Sequence, residues 1–424
     1  MANTKFLLDL YIEGINALCC LFEWRHTASL PWAKGKSACV DATQTTVYHR
    51  KQLFNYFSTV TEHPKKQQLL ELIRANPFIS QQELATALGL SRPAVANHIA
   101  GLIRERKLLG RAYVLPDHRP VVCIGAANLD RKLRSLAGIA LHTSNPASQT
   151  ESFGGVARNI AESLARMGSP VALLTATGKD SSGAALLSHA QSLGIDTGGT
   201  LQLEDMASGT YTAVLDRDGE MVVALADMAL YDRLDPAFVD GRQGQIAAGA
   251  LVVADLNLPL DTVDALVAQA RRLDVPLVLV AVSEPKMARL PRDLSGVRLL
   301  VLNRGELAAR VGRALPSDAA LDAAVLEVRA QGARDLIVTR GAEGVLYTRG
   351  SEIVRLAAHG AEVSDVTGAG DAFAAAVCWS LLQDADDLEL ACRRGLTLSA
   401  LTLGVAETVH PKLGPDTLNM NTQD

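Results

Sequence analysis

Near its C-terminal end the chain carries two carboxylates six residues apart, Asp365 and Asp371, in the stretch SDVTGAGDAF. The small residues Gly368, Ala369 and Gly370 leave backbone N–H groups uncovered between them. If a helix begins there, its dipole and unpaired N–H groups attract a phosphate or an oxyanion. A carboxylate in the first turn of that helix is placed as a general base. The structural alternative is a tight strand-to-helix turn with an aspartate cap.

The elements around this motif predict an α/β domain over residues 119–424. Short buried runs alternate with helical patterns such as TVDALVAQARRL and ALDAAVLEVRAQ. This alternation predicts a mostly parallel sheet with helices on both faces. One stretch, GTYTAVLDRDGEMVVALADM, instead predicts an antiparallel hairpin that turns at residues 218–219, which we interpret as a small β lid over a site. The runs read as sheet strands are PVVCIGAA, VALLTAT, ALVVAD, VPLVLVAV, RLLVL and DLIVTR.

Polar motifs stand where these predicted strands end or where helices begin after them. Ligands of open α/β sheets bind outside the carboxyl ends of the strands. Each motif by itself is as consistent with a turn or a helix cap as with a site, but their common position predicts that they meet at one edge. Their polar and glycine residues are Asn128, Asp130, Gly154, Gly155, Asn159, Asn303, Glu306, Thr339 and Gly341.

Residues 61–118 have a different pattern, which predicts helix, helix, turn, helix and then a small β wing over residues 107–115. Leu69, Leu70 and Ile73 form one apolar helical face, and Ser91 caps the third helix. The segment has more basic than acidic residues although the chain has a formal net charge of −5. Such a local excess suits contact with a phosphate backbone. The segment resembles the winged helix-turn-helix family, with residues 91–104 as the recognition helix; a helical interaction domain with a solvated basic face is the alternative.

The remaining composition bounds the class of protein. A chain of 424 residues with 48% hydrophobic residues can bury more than one core. Its six cysteines form no CxxC pair, and no apolar run is long enough to span a membrane, so we expect reduced thiols in a cytoplasmic protein without a membrane partner. Residues 1–60 predict no fold, and we interpret them as an extension that is disordered or lies upstream of the natural start.

The motif order GxxNxD, GGxxxN, NxxE, TxG and DxTGAGDxF resembles the ribokinase-like, phosphofructokinase B type family of sugar and nucleoside kinases. The resemblance covers residues 120 to about 414 and implies a ribokinase-like α/β fold. It also implies an enzyme that uses ATP and Mg²⁺ to phosphorylate a ribosyl substrate, with K⁺ as a further candidate cation. We further expect a homodimer.

The resemblance implies a role for each motif. Asp371 is expected to take the proton from the substrate hydroxyl, while the N–H groups of the GAG turn hold the transferring phosphoryl group. Glu306 is expected to bind Mg²⁺ through water, which suits an ion that retains several waters. Asp365, Thr367, Gly404 and Thr408 are the expected monovalent-cation site. The substrate residues are Asn128, Asp130, Gly154, Gly155 and Asn159, and the nucleotide residues are Asn303, Glu306, Thr339 and Gly341.

The sequence differs from ribokinases at positions that narrow the choice of candidate substrates. Val156 and Ala157 stand where ribokinases have Lys and Gly, and Val366 replaces the first Thr of the anion motif. The runs ALADM and VSEPK look like the pseudouridine kinase branch, so pseudouridine is the expected substrate, phosphorylated on its 5′-hydroxyl. Inosine, cytidine or a free sugar are the alternatives, as is a ligand-sensing transcriptional regulator whose kinase fold only binds its ligand.

Overall fold

The computed structural model describes residues 64–75, 79, 81–105, 107–108 and 119–419. Residues 1–60, which we interpret as an extension, lie outside the described residues, and so does most of the predicted wing.

The N-terminal described segment consists of three helices, α1 (Pro64–Ala75), α2 (Gln81–Leu88) and α3 (Arg92–Arg104). The predicted apolar face of the first helix is buried in a small core that also contains Leu84, Val95, Ile99, Leu102 and Leu108. The Ser91 hydroxyl accepts a hydrogen bond from the N–H of Ala94, as the sequence predicts for a helix cap. This core shares no residue with the two cores of the α/β part.

An eight-stranded sheet forms the centre of the α/β part, in the order β14-β13-β12-β11-β10-β9-β1-β4. The strands from β12 to β4 pair in parallel, while β13 and β14 add an antiparallel hairpin at one edge. The strands are β1 (Val121–Ile124), β4 (Val171–Leu174), β9 (Leu251–Asp255), β10 (Leu277–Val280), β11 (Val297–Asn303), β12 (Asp335–Thr339), β13 (Val345–Arg349) and β14 (Glu352–Leu356).

Helices cover both faces of this sheet, because the central strands are apolar on both sides. In β1, Val121 and Cys123 face one core while Val122 and Ile124 face the other. The first core receives α4 (Val156–Arg166), α5 (Ser181–Ser192), α11 (Ala369–Gln383) and α12 (Leu388–Leu403). The second receives α6 (Pro236–Gly241), α7 (Gln243–Ala248), α8 (Leu260–Leu273), α9 (Arg304–Val311) and α10 (Asp318–Arg329).

A separate four-stranded sheet, which we call the lid, has the order β3-β2-β7-β8. The predicted hairpin is confirmed: β7 and β8 are antiparallel, and Gly219 takes the positive φ of 95° in their turn. The other two strands were not predicted, and β2 places Asn128 and Asp130 in the lid rather than in a loop. The lid strands are β2 (Asn128–Ser135), β3 (Ala147–Gly154), β7 (Thr210–Leu215) and β8 (Met221–Asp227); a further short pair joins β5 (Ala176–Gly178) and β6 (Leu201–Leu203).

Candidate active site

The turn before α11 has the geometry expected of the small residues in it. Gly368 precedes the helix with a positive φ of 83°, and Ala369 to Asp371 form the first helical turn. A side chain at Gly368 would overlap the backbone oxygen of Thr408, so glycine lets the two chain segments approach closely. No side chain caps this helix end, which leaves its N–H groups directed out of the helix and available to an anion. We call residues 367–370 the anion turn.

Asp371 lies in this first turn and accepts a hydrogen bond from the Asn159 side-chain amide, Nδ2 to Oδ2, at 2.7 Å. Asn159 is buried in α4, so the contact joins the GGVARN motif to the anion turn. Desolvation raises the pKa of Asp371 to about 7, and the charges of Asp255 and Asp130 raise it too, whereas Asn159 and Arg158 act in the opposite direction. A carboxylate that titrates near neutral pH can accept a proton in a reaction and release it afterwards.

The lid contributes Asn128 and Asp130, whose side chains hydrogen-bond to each other. Asn128 is paired with Gly154 across β2 and β3, and the absence of a side chain at Gly154 makes room for the Asp130 carboxylate. Burial raises the pKa of Asp130 to about 6, which the Asn128 hydrogen bond and nearby Arg158 and Lys132 partly offset. A carboxylate and an amide side by side can accept from and donate to sugar hydroxyls.

Arg158 is a buried residue of this region that sequence reasoning missed. Its guanidinium donates to the backbone oxygens of Gly154 and Phe153, at 3.1 and 2.8 Å, and to the side chains of Asn159 and Glu162. Burial lowers its pKa, and the Glu162 charge opposes that effect. The Arg158–Glu162 pair therefore fixes the start of α4. It also fixes Asn159, whose side chain reaches Asp371.

The Asp255 carboxylate was also missed. It ends β9, is 1% exposed, and accepts backbone N–H bonds from Ala126, Ala157 and Asn257 at 3.0, 2.9 and 2.8 Å. Burial raises its pKa despite these three bonds. A charged residue ending a strand whose other residues are all apolar is itself a sequence signal, because such a group is rarely buried without a purpose.

The expected nucleotide residues meet at another part of the same sheet edge. Asn303 ends β11 directly beside Thr339, which ends β12, and Gly341 follows with a positive φ of 58°. Asn303 and Glu306 form a capping box: the Asn303 side chain accepts from the Glu306 N–H at 2.9 Å, and Glu306 accepts from the Asn303 N–H at 2.7 Å. The NRGE motif therefore has a structural role in starting α9.

The Glu306 carboxylate is compatible with a water-mediated Mg²⁺. Burial raises its pKa, the Asn303 N–H bond opposes this, and the charge of Glu284 adds to the rise. A carboxylate whose charge is disfavoured by burial and by a neighbouring carboxylate is stabilised by a divalent cation, and Mg²⁺ prefers such oxygen ligands. Among the residues that the structure describes, no group of three or more acidic, histidine or cysteine side chains forms a metal cage.

The expected monovalent-cation residues lie on neighbouring segments, and two of their side chains already have partners in the chain. The loop carrying Asp365 lies against the end of α12, where the Ser364 N–H donates to Leu403 at 2.7 Å. Both oxygens of Asp365 already have partners in the chain: one accepts from Thr367 and the other pairs with Lys132. The Thr408 hydroxyl donates to the Phe153 carbonyl at 3.1 Å. A monovalent cation held by Asp365, the Thr367 carbonyl and the loop of residues 404–408 stays a prediction, and at Asp365 such an ion would compete with Lys132.

Comparisons with known proteins agree with this architecture. The family model described as pfkB family carbohydrate kinase matches residues 119–413, and a winged helix-turn-helix DNA-binding model matches residues 63–106. An uncharacterized sugar kinase of Escherichia coli K12 is 30% identical over 355 residues, which cover 83% of this chain and 97% of that protein. The pseudouridine kinase of the same organism is 31% identical over 262 residues, covering 61% and 83%.

Solved structures show the same fold. A carbohydrate kinase from Agrobacterium tumefaciens superposes with a TM-score of 0.63 at 31% identity and covers 71% of this chain and 96% of its own. The ribokinase of Arabidopsis thaliana complexed with ribose and ATP has the same TM-score at 18% identity, with 71% and 98% covered. Within the described residues no helix has the length and apolar composition of a membrane span.

We predict that the two glycines of the anion turn respond differently to alanine. Gly368→Ala should lower the free energy of unfolding by about 2 kcal/mol or more, because it combines a positive φ with an overlap at Thr408. Gly370→Ala is the matched control, since nothing lies within 4 Å of its added methyl group, and should be neutral or stabilising by up to about 1 kcal/mol. Urea unfolding of both variants measures this. Equal effects would contradict the described turn.

Proposed function

We propose that this chain, which belongs to the pfkB family of carbohydrate kinases, transfers the γ-phosphoryl group of ATP to the 5′-hydroxyl of a nucleoside, with Asp371 as the general base. That it is an ATP-dependent sugar or nucleoside kinase follows from the family; the residue roles and the nucleoside are our proposal. The observation that carries it is the Asn159 to Asp371 hydrogen bond beside the uncapped start of α11.

The proposed mechanism is mainly one of positioning and charge. Asn128, Asp130 and Asn159 hold the ribose hydroxyls, so that the hydroxyl to be phosphorylated faces Asp371. Asp371 accepts the proton of this hydroxyl as its oxygen attacks the γ-phosphorus, the bond from that phosphorus to the β,γ-bridging oxygen breaks, and ADP leaves with the electron pair. The N–H groups of the anion turn stabilise the charge on the phosphoryl oxygens. Glu306 and the ends of β11 and β12 face the nucleotide. Bound Mg²⁺ supplies positive charge to its phosphates, and Glu306 would hold it through water.

The competing function is a regulator whose kinase fold senses a ligand without turnover. The raised pKa of Asp371 favours catalysis, because a residue that only binds a sugar hydroxyl gains nothing from titrating near neutral pH. A carboxylate with an unshifted pKa would have served binding equally well.

We predict that kcat/KM rises with pH through about 7, because Asp371 accepts a proton only when it is charged and desolvation raises its pKa. Asn159→Ala removes a hydrogen bond that favours the charged form, so the midpoint should move to higher pH by about one unit. Profiles of kcat/KM against pH for both proteins measure the shift.

Two substitutions, one in the first turn of α11 and one at the residue that follows its last turn, control this experiment. Asp371→Asn should lower kcat at least about 10²-fold at every pH. Asp384→Asn, at the exposed far end of α11, should change neither the rate nor the midpoint. An acid limb that stays below pH 5, or an active Asp371→Asn enzyme, would exclude Asp371 as the base.

Pseudouridine is the substrate we propose, on three observations. A pseudouridine kinase is among the relatives, with a guanosine-inosine kinase less similar at 27% identity. The lid strand β8 ends in ALAD and the VSEPK segment contains a half-buried lysine, Lys286. Burial and Arg289 lower the pKa of Lys286, while Asp255 is close enough to oppose this, so the lysine lies within reach of the site's charges. It can donate a hydrogen bond to a carbonyl of uracil.

The substrate prediction compares two isomers. Pseudouridine should give a kcat/KM at least about 10²-fold above uridine, because an enzyme that buries polar groups against one base edge rejects an isomer that leaves them unpaired. A panel of nucleosides and sugars with ATP, monitored by ADP release, measures this. Equal values for the two isomers, or a preference for ribose or another nucleoside, would refute the substrate and leave the kinase assignment intact.

For the N-terminal segment we propose DNA binding by a domain of residues 61–118 that is distinct from the kinase domain of residues 119–424. Support comes from its own core and from the exposed surface of α3, which includes Arg92 and Asn97. We also propose a homodimer, since the edge strand β8 exposes Met221, Val222 and Leu225, and unpaired apolar edges favour association.

The DNA-binding prediction concerns salt. Arg92→Ala should weaken binding of full-length protein to duplex DNA and reduce the slope of log K against log salt by about one, as for the loss of one phosphate contact. Arg217→Ala, an exposed arginine of the lid turn, is the control and should change neither quantity. Fluorescence anisotropy over a salt series measures both. Unchanged binding in Arg92→Ala would remove α3 from the interface.

A further inference from the structure

One ion pair places a positive charge of the lid next to the anion turn. Lys132 of β2 contacts Asp365, the residue that begins the DxTGAGD motif. Side chains alternate along a strand, so Lys132 lies on the same lid face as Asn128 and Asp130. The pair is partly buried, with side-chain exposures of 30% for the lysine and 21% for the aspartate. An ion pair removed from much of the solvent is screened less by salt than a surface pair.

The other basic side chains of β2 are directed elsewhere. Arg131 pairs with Glu151 on β3 at 2.9 Å, and Arg134 donates to the backbone oxygen of Arg217 at 2.8 and 3.2 Å. Both contacts stay within the lid. Among the cations of this strand, Lys132 is therefore the one whose contact leaves the lid for the phosphoryl-transfer side of the site.

Asp365 is fully engaged by these contacts. Its Oδ1 accepts from the N–H and the hydroxyl of Thr367 at 2.9 and 2.7 Å, and its Oδ2 accepts from Lys132. Desolvation disfavours its charge, but the hydrogen bonds from Lys132 and Thr367 outweigh this and lower its pKa. A monovalent cation at this carboxylate would have to displace an ammonium that already neutralises it.

We propose that the ammonium of Lys132 takes the place of a monovalent cation beside the anion turn, so that this kinase requires no K⁺. This rests on the proposed function of the anion turn. A lysine ammonium is a compact point charge and can balance a carboxylate beside an anion site as a bound cation does. Lys132 belongs to the lid, so its charge reaches the anion turn only when β2 lies over the site. The charge at the turn therefore depends on the position of the lid.

The test uses full-length protein in KCl or choline chloride at an equal ionic strength of about 0.1 M. The first readout is thermal unfolding, which is independent of the substrate. The wild-type midpoint should be the same in both salts. In Lys132→Met the freed carboxylate should bind K⁺ and raise the midpoint in KCl by about 2–4 °C, and adding Asp365→Asn should abolish that rise.

The second readout is turnover with the best substrate. K⁺ should change wild-type kcat less than about twofold. The kcat of Lys132→Met should be about 10²-fold below wild type in choline chloride and should rise at least about tenfold in KCl. A positive charge near the transferring phosphoryl group accelerates the reaction by factors of this size. Lys132→Arg should stay independent of K⁺, and Arg131→Met, the neighbouring lid cation, should behave as wild type.

Three results would overturn the proposal. The first is wild-type enzyme that K⁺ activates more than about tenfold, and the second is Lys132→Met with unchanged activity. The third is Lys132→Met that loses activity but responds to K⁺ in neither readout, which would indicate that the lysine contacts the phosphoryl group itself. If no substrate is turned over, the proposed function fails, while the thermal readout still decides whether Lys132 excludes the cation.

Discussion

The candidate site depends on one buried carboxylate, that of Asp255, which holds three chain segments together. Its oxygens accept N–H bonds from the segment after β1, from the first turn of α4 and from its own strand exit. The segment after β1 leads into the lid strand that carries Asn128 and Asp130, and α4 carries Asn159. The side chains proposed to bind the substrate therefore share one anchor. Losing it would leave buried N–H groups without partners, which costs about 1–3 kcal/mol each.

The surroundings of Asp371 disfavour its ionised form. Desolvation and two neighbouring carboxylates, Asp255 and Asp130, raise its pKa, and Arg158 with the Asn159 amide only partly compensates. A fold selected for stability alone would not gather three carboxylates within interaction distance and supply one buried guanidinium already paired with Glu162. The arrangement is explained if the basicity of Asp371 is the quantity that matters, because a base with a pKa near neutral is both charged often enough and strong enough to take a proton.

Sequence predicted the strands that consist of continuous apolar runs and the hairpin with a clear turn signal, and it missed the polar strands of the lid. Strands β1, β4, β9, β10, β11 and β12 were visible as continuous apolar runs, and the β7–β8 hairpin was visible from its turn at residues 218–219. The strands β2 and β3 were not, because NLDRKLRS and ASQTESFG are polar segments whose pairing is set by the tertiary fold. The contact of Lys132 could not be predicted for a related reason: its partner, Asp365, lies 233 residues away along the chain.

Glycines show most clearly what a sequence motif leaves out. In the sequence, Gly154 and Gly368 mark turns before helices, and this interpretation is correct but incomplete. In the structure Gly154 makes room for the Asp130 carboxylate and Gly368 for the backbone of Thr408. Each is thus a point of close contact as well as a turn: the first lets the Asp130 carboxylate of β2 lie against the end of β3, and the second brings the loop after α12 to the anion turn. A motif records that the side chain is absent, whereas function depends on which distant group fills the space.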